Sequence, residues 1–220
     1  YVDDITTPPS QAKIWMISSK ESTSNFVWLG AATTGWDNVS NWNGRTIPTT
    51  TSDVIIPADA ARWPIIPADS LRKVRSIEIQ QGATVNMGTN ATLEIYGSLA
   101  DNNGTVSWNN SGTFVPGTST VVFKRNNAAI SGNTQFNNLT VATDSTLNIL
   151  NGGTVSVSGS FTNGGVLNAM YNGPTSFVYN GGDQTVQASD ESQYYHLTFS
   201  GTGTKTIQNR NRPRNQHIYC

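Results

Sequence analysis

Any chemistry in this chain has to come from few titratable side chains. Between residues 74 and 207 the acids are Glu78, Glu94, Asp101, Asp144, Asp183, Asp190 and Glu191, and the bases are Arg75, Lys124, Arg125, His196 and Lys205. A hydrolytic site of the polysaccharide-cleaving kind needs two carboxylates converging from neighbouring strands, one to donate a proton and one to attack or to activate water. Asp190-Glu191 is the one adjacent pair, and its serine flank reads as a solvated loop rather than a catalytic or metal pair. Asp101 and Asp144 stand two turns apart if the strands stack, and Asp183 and Asp190 sit beside turn residues. Asp37, Asn41 and Asn43-Gly44 loosely resemble an oxygen-rich calcium loop, but the acids are too few, so a hydrogen-bonded turn is the better reading. His196 falls on an alternating strand as an outward polar residue, and His217 has no sequence partner. Two histidines and the single Cys220 make no zinc set. There is no Gly-x-Ser-x-Gly elbow and no phosphate loop. The expectation is a non-enzymatic protein without cofactor, catalytic residue or metal ligand.

The elements around these residues are strands. Val74/Ile77/Ile79, Val85/Met87, Leu93/Ile95, Val121/Phe123, Leu147/Ile149 and Val155/Val157 alternate with Thr, Ser and Asn, the period of a half-buried strand. Asn102-Asn103-Gly104, Asn126-Asn127, Asn151-Gly152-Gly153, Asn163-Gly164-Gly165 and Asn180-Gly181-Gly182 punctuate them. No segment carries helical periodicity with caps.

A longer repeat runs above this pattern. Phe136-Asn137-Asn138-Leu139-Thr140-Val141 is answered by Tyr194-Tyr195-His196-Leu197-Thr198-Phe199, a shift of about 58 positions. The run from Gly117 to Phe123 is answered by Gly173 to Tyr179, and Leu93 to Leu99 by Val155 to Phe161. A β-sandwich of hairpins suits the Asn-Gly pairs but gives no reason for a long period. A parallel β-helix does, since each coil is one small unit that cannot bury its apolar side alone. Read as three coils, the period predicts coils of roughly 20 residues.

Five of the six tryptophans (Trp15, Trp28, Trp36, Trp42 and Trp63) fall in the first third of the chain; Trp108 is the sixth. Exposed, they could stack on sugar rings; burial as the core of an N-terminal cap is the simpler reading. The expected layout is a linker or the end of a preceding module at 1–25, the tryptophan-rich cap at 26–71, the β-solenoid at 72–207 and a polar basic tail at 208–220. No comparable cap follows Ile207. The stacking surface there is covered by the tail, continued by further residues, or used by another molecule.

Composition narrows the partners. A net charge of -1 with 12% charged residues provides no basic face for nucleic acid. Arg210, Arg212 and Arg214 read as a solvated end. No run of about 18 apolar residues exists, so no membrane insertion is expected. The chain begins at Tyr1 without an apolar leader and is read as a mature form or a piece of something longer.

The lead-in Trp28/Gly30, Trp36, Asn41-Trp42, Pro48 and Asp53/Val54/Ile56/Pro57 is followed by Gly97/Leu99/Asn103/Gly104, Gly159/Phe161/Asn163/Gly165 and the two Phe/Tyr…Leu-Thr-Val/Phe segments. With these residues the chain resembles the large repetitive β-solenoid surface proteins, adhesin-like and type IX secreted, of Bacteroidota, over roughly residues 26–207. The resemblance implies an exported structural or adhesive segment at the cell surface, with glycans, neighbouring surface proteins or copies of itself as partners. Asp69-Ser70-Leu71 resembles the O-glycosylation acceptor of that phylum, and the resemblance implies Ser70 as the acceptor. Alternatives are a filament subunit stacked end to end, a carbohydrate-binding or polysaccharide-active β-helix, and a phage fibre segment.

Overall fold

The computed structural model describes residues 25–98, 106–188 and 191–208. The expectations for Trp15, Asp101, Asp190, the 1–25 linker, Arg210, Arg212, Arg214, His217, Cys220 and the Asn102-Asn103-Gly104 turn lie wholly or mainly outside those residues.

The chain is a parallel β-solenoid of about 7 turns spaced about 22 residues apart. A short strand β1 (Asn25–Val27) precedes the first turn, formed by β2 (Asp53–Ile56), β3 (Ile65–Ile66) and β4 (Leu71–Val74). The second turn is β5 (Ser76–Ile79), β6 (Thr84–Met87) and β7 (Thr92–Ile95). The third is β8 (Trp108–Asn110), β9 (Thr113–Val115) and β10 (Thr120–Phe123). In the fourth, one long strand β11 (Ala128–Phe136) serves two sides and β12 (Asn138–Val141) the third. The fifth is β13 (Thr146–Ile149), β14 (Thr154–Val157) and β15 (Phe161–Asn163). The sixth is β16 (Val166–Asn168), β17 (Ser176–Tyr179) and β18 (Gln184–Val186), and the last is β19 (Ser192–Gln193), β20 (His196–Phe199) and β21 (Lys205–Ile207). Every strand pair is parallel. The first strands of the turns form one continuous stack, and the second and third strands form the other two sides.

The alternation explains why these segments become strands. In β10, β12, β14 and β17 every second residue is buried and the others are half-exposed. Register then stacks like on like. Leu93, Val121, Leu139 and Phe161 form one inward column, and Val155, Phe177 and Leu197 another. No turn encloses an interior by itself, so each depends on its neighbours. Asparagine secures two of the left-handed corners. Asn90 and Asn127 adopt left-handed backbone, with φ of 55° and 61°, and Asn148 Nδ2 donates to Asn127 Oδ1 one turn below at 3.1 Å.

The sequence repeat does not map onto whole turns. Leu139 lies in a third strand, β12, whereas its counterpart Leu197 lies in a second strand, β20. The same displacement relates β10 to β17 and β7 to β14. The shift therefore spans three turns less one strand. All sides obey one rule, an inward apolar residue at every second position between small polar ones, so an alignment matches strand to strand without knowing which side it is on.

The tryptophan-rich segment lies at the N-terminal end of the stack. Trp28, Trp36 and Trp42 are buried and pack with Val54, Ile56 and Ile66. Parallel stacking already begins at Asp53, where β2 pairs with β1 below and β5 above. Among the described residues no helix is long and apolar enough to cross a membrane.

Candidate functional site

Glu94 carries the densest group of polar contacts. It sits on β7 of the third side, flanked in register by Lys73 on β4 and Val122 on β10, and it is 7% exposed. Lys124 Nζ donates to Glu94 Oε1 at 2.6 Å, Tyr96 Oη donates to Oε2 at 2.9 Å, and Lys73 Nζ lies 3.7 Å from Oε2. Burial alone would raise the Glu94 carboxyl, but the bonds from Lys124 and Tyr96 and the two lysine charges outweigh it and hold it below its ordinary 4.5. Its bond to Glu94 likewise raises Lys124. Both carboxylate oxygens are engaged, so the group ties turns one, two and three together.

A native carboxylate that titrates below its unfolded counterpart stabilises the fold above the unfolded pKa and loses that contribution as pH falls through the folded value. Glu94→Gln is therefore expected to be less stable than the parent at pH 7. The gap should narrow from about pH 4.5 downward, read from urea midpoints across pH. A gap that stayed constant from pH 7 to pH 3 would remove Glu94 from this role.

Two further acids at this end are similarly bound. Asp53 accepts from the Arg75 guanidinium in a forked pair and from Ser76 Oγ at 2.6 Å. Asp37 takes the fork of Arg72. The loop considered for calcium is a hydrogen-bonded turn. Asn41 Oδ1 accepts from the Ala32 and Thr33 N–H groups, and its Nδ2 donates to Thr33 Oγ1 and Gly35 O. Asn43 bonds the edge of β1.

The remaining sequence candidates are scattered. Asp144 occupies an exposed left-handed corner. Gln80 Nε2 donates to Glu78 at 3.3 Å. His196 is exposed on β20, in register with Ser176. Asp183 Oδ1 accepts from Thr204 N at 2.7 Å and borders an open depression on β18 and β21 with Gln184, Thr185, Thr204 and Thr206. Gln184 is turned inward, its amide bonded to Gly181 N, Val157 O and Gly159 O. The depression therefore offers threonine hydroxyls and one carboxylate. Ser70 stands half-exposed between β3 and β4, its Oγ donating to Pro67 O. The Glu94 group was not read from the sequence. Its signal was that Lys73 and Glu94 fall about one turn apart on neighbouring third strands, with Lys124 just past the end of the next.

The last turn differs from the others. Leu197, Phe199 and Ile207 hold positions that are inward in the preceding turn, yet they are 37%, 46% and 60% exposed. Beneath them lies an aromatic layer of Phe161, Phe177, Tyr179 and Tyr194. The Tyr179 and Tyr194 hydroxyls meet at 3.2 Å, and burial pushes both phenols up.

Residues 27–124 match a family described as a domain of unknown function (DUF8693). The match runs from β1 to Lys124, so it joins the tryptophan-rich end to the first three turns and includes both lysine partners of Glu94. No curated protein and no solved structure matches the chain.

Proposed function

We propose that this chain is a passive, non-enzymatic β-solenoid segment of an exported bacterial cell-surface protein, structural or adhesive in role. The observation that carries the reading is how its polar groups are divided. Glu94, Asp53 and Asp37 bond to cations of their own chain, while parts of the outward rows are built of small hydroxyl and amide side chains. Thr92, Thr120 and Asn138 form one such row and Asn133, Thr154 and Ser176 another. Groups repeating at the strand spacing of about 4.8 Å suit glycan hydroxyls or a neighbouring rod. A stack of parallel turns is stiff, as a spacer or a display surface requires. Export by the type IX route and O-glycosylation at Ser70 belong to the same reading.

The test is surface labelling of the producing bacterium. Protease or antibody applied to intact cells should reach the protein, and Ser70→Ala should lower the mass of the native material by one glycan. Protection in intact cells, with access only after lysis, would overturn the reading.

A second reading is glycan binding at the depression bordered by Asp183, Thr185, Thr204 and Thr206. It is favoured by threonine hydroxyls beside a carboxylate in an open, polar hollow. Titration with neutral and acidic polysaccharides, with and without calcium, separates the two readings.

A further inference from the structure

Among the described residues Asn43, Asn151, Asn163, Asn172 and Asn180 each stand directly before a glycine. In such a pair the glycine main-chain nitrogen can attack the asparagine Cγ and close a five-membered ring, because glycine has no Cβ to hinder the approach. The rate depends on what the fold does to the reacting atoms. The attacking N–H has to be free of a hydrogen bond and the side chain has to be able to turn. The oxygen that gathers negative charge is helped by a donor.

The fold withholds these conditions from most of the pairs. Gly152 N donates to Pro174 O at 2.8 Å, Gly164 N to Val141 O at 2.8 Å, and Gly181 N to Gln184 Oε1 at 2.9 Å. Asn163 is buried besides, its Nδ2 donating to Glu191 O and Ser192 Oγ. Gly44 N has no such bond among the described residues, but the Asn43 amide is pinned at both ends. Its Oδ1 accepts from Val27 N and its Nδ2 donates to Asn25 O, each at 3.1 Å. Turning Cγ toward Gly44 N would open the edge of β1.

Of these pairs, Asn172 alone meets every condition. It is exposed at the corner between β16 and β17, and among the described residues neither Gly173 N nor Asn172 Nδ2 has a hydrogen-bond partner. Its Oδ1 accepts from Asn151 N, one turn below, at 2.8 Å. A backbone donor therefore already meets the oxygen on which charge develops. The corner also requires glycine after it. Gly173 has φ of 144°, and a Cβ there would run into the Asn151 side chain.

We infer that Asn172 is a self-modifying site. Gly173 N gives up its proton and bonds to Asn172 Cγ, the Cγ–Nδ2 bond breaks, and the side-chain nitrogen leaves as ammonia. Water then opens the resulting succinimide at either ring carbonyl. One opening gives an ordinary aspartate, which keeps an acceptor for Asn151 N. The other gives isoaspartate, whose extra main-chain methylene lengthens the corner between turns five and six. Either product adds one negative charge to a chain whose net charge is -1.

Peptide mass mapping of the 220-residue chain, aged in neutral buffer, tests this. Conversion at Asn172 should run at least ~10-fold ahead of Asn43, Asn151, Asn163 and Asn180, the effect of about one hydrogen bond on a barrier. In urea, where the corners are lost, all of these pairs should convert at similar rates. Asn172→Gln keeps the amide but enlarges the ring that would have to close, and it should abolish conversion at this position. Conversion at Asn172 no faster than at Asn163 in the folded chain, or a lead for Asn172 that survives in urea, would overturn the inference.

Discussion

Trp42→Ala is expected to cost about 3–5 kcal/mol, the range for removing a large aromatic from a closed core. The indole is 1% exposed, its Nε1 donates to Trp36 O at 2.8 Å, and its ring centroid lies 4.7 Å from that of Trp36 and 5.0 Å from that of Trp28. Phe26 on β1 meets it edge-on at 6.5 Å. Three of its neighbours are aromatic rings that cannot collapse into the space. The loss should be felt first in β1 and the first turn, since a solenoid passes stability between nearest neighbours. Trp63, which is only half-buried, is the control, and Trp63→Ala should cost clearly less. Urea unfolding of the two variants gives the comparison. Equal costs would mean that the tryptophan cluster does not hold this end.

Gly132→Ala is the second large effect. β11 runs from the first side of the solenoid to the second without a break, and Gly132 is the residue at which it bends, with φ of 82°. An added Cβ would be driven into the main-chain carbonyl of Asn110 in the turn below, which has no freedom to withdraw from the ladder. Left-handed strain of about 1–3 kcal/mol is thus joined by a backbone collision. The variant should lose well over about 2 kcal/mol, and hydrogen exchange should rise most in β8, β11 and β14. Gly152, also at positive φ (78°) but with open space around its would-be Cβ, should lose only the strain. A Gly132→Ala protein as stable as Gly152→Ala would argue against the close stacking of turns three and four.

The strands, their inward residues and the stacking of turns were legible because each rests on local alternation, which the sequence displays directly. Leu93, Val121 and Leu139 were recognisable as inward before their columns were known. The register was not legible. Third strands and second strands carry the same pattern, so a shift of about 58 residues looked like whole turns and proved to be one strand short. Side-chain pairing was also hidden. Glu94 was visible as an acid, but its bonds to Lys73 and Lys124 depend on loop lengths between turns, which vary without any periodic mark. Asn43 looked like part of an oxygen-rich loop, and its use as a plug for β1 depends on a fold-back that no spacing announces. The exposure of Leu197, Phe199 and Ile207 in the last described turn was also not legible, because their alternation matches that of the inward rows elsewhere.

The measurement that bears most directly on the parallel stack is disulfide trapping across it, in a chain carrying Cys220→Ser. Ser156, Val178 and Thr198 lie in register on three successive turns at outward positions. Neighbouring strands about 4.8 Å apart place adjacent members of the series within bonding reach, and members two turns apart beyond it. Ser156→Cys with Val178→Cys, and Val178→Cys with Thr198→Cys, should each oxidise within one chain, whereas Ser156→Cys with Thr198→Cys should not. Bonding of the distant pair with failure of the two adjacent ones would contradict the stack of parallel turns and everything built on it.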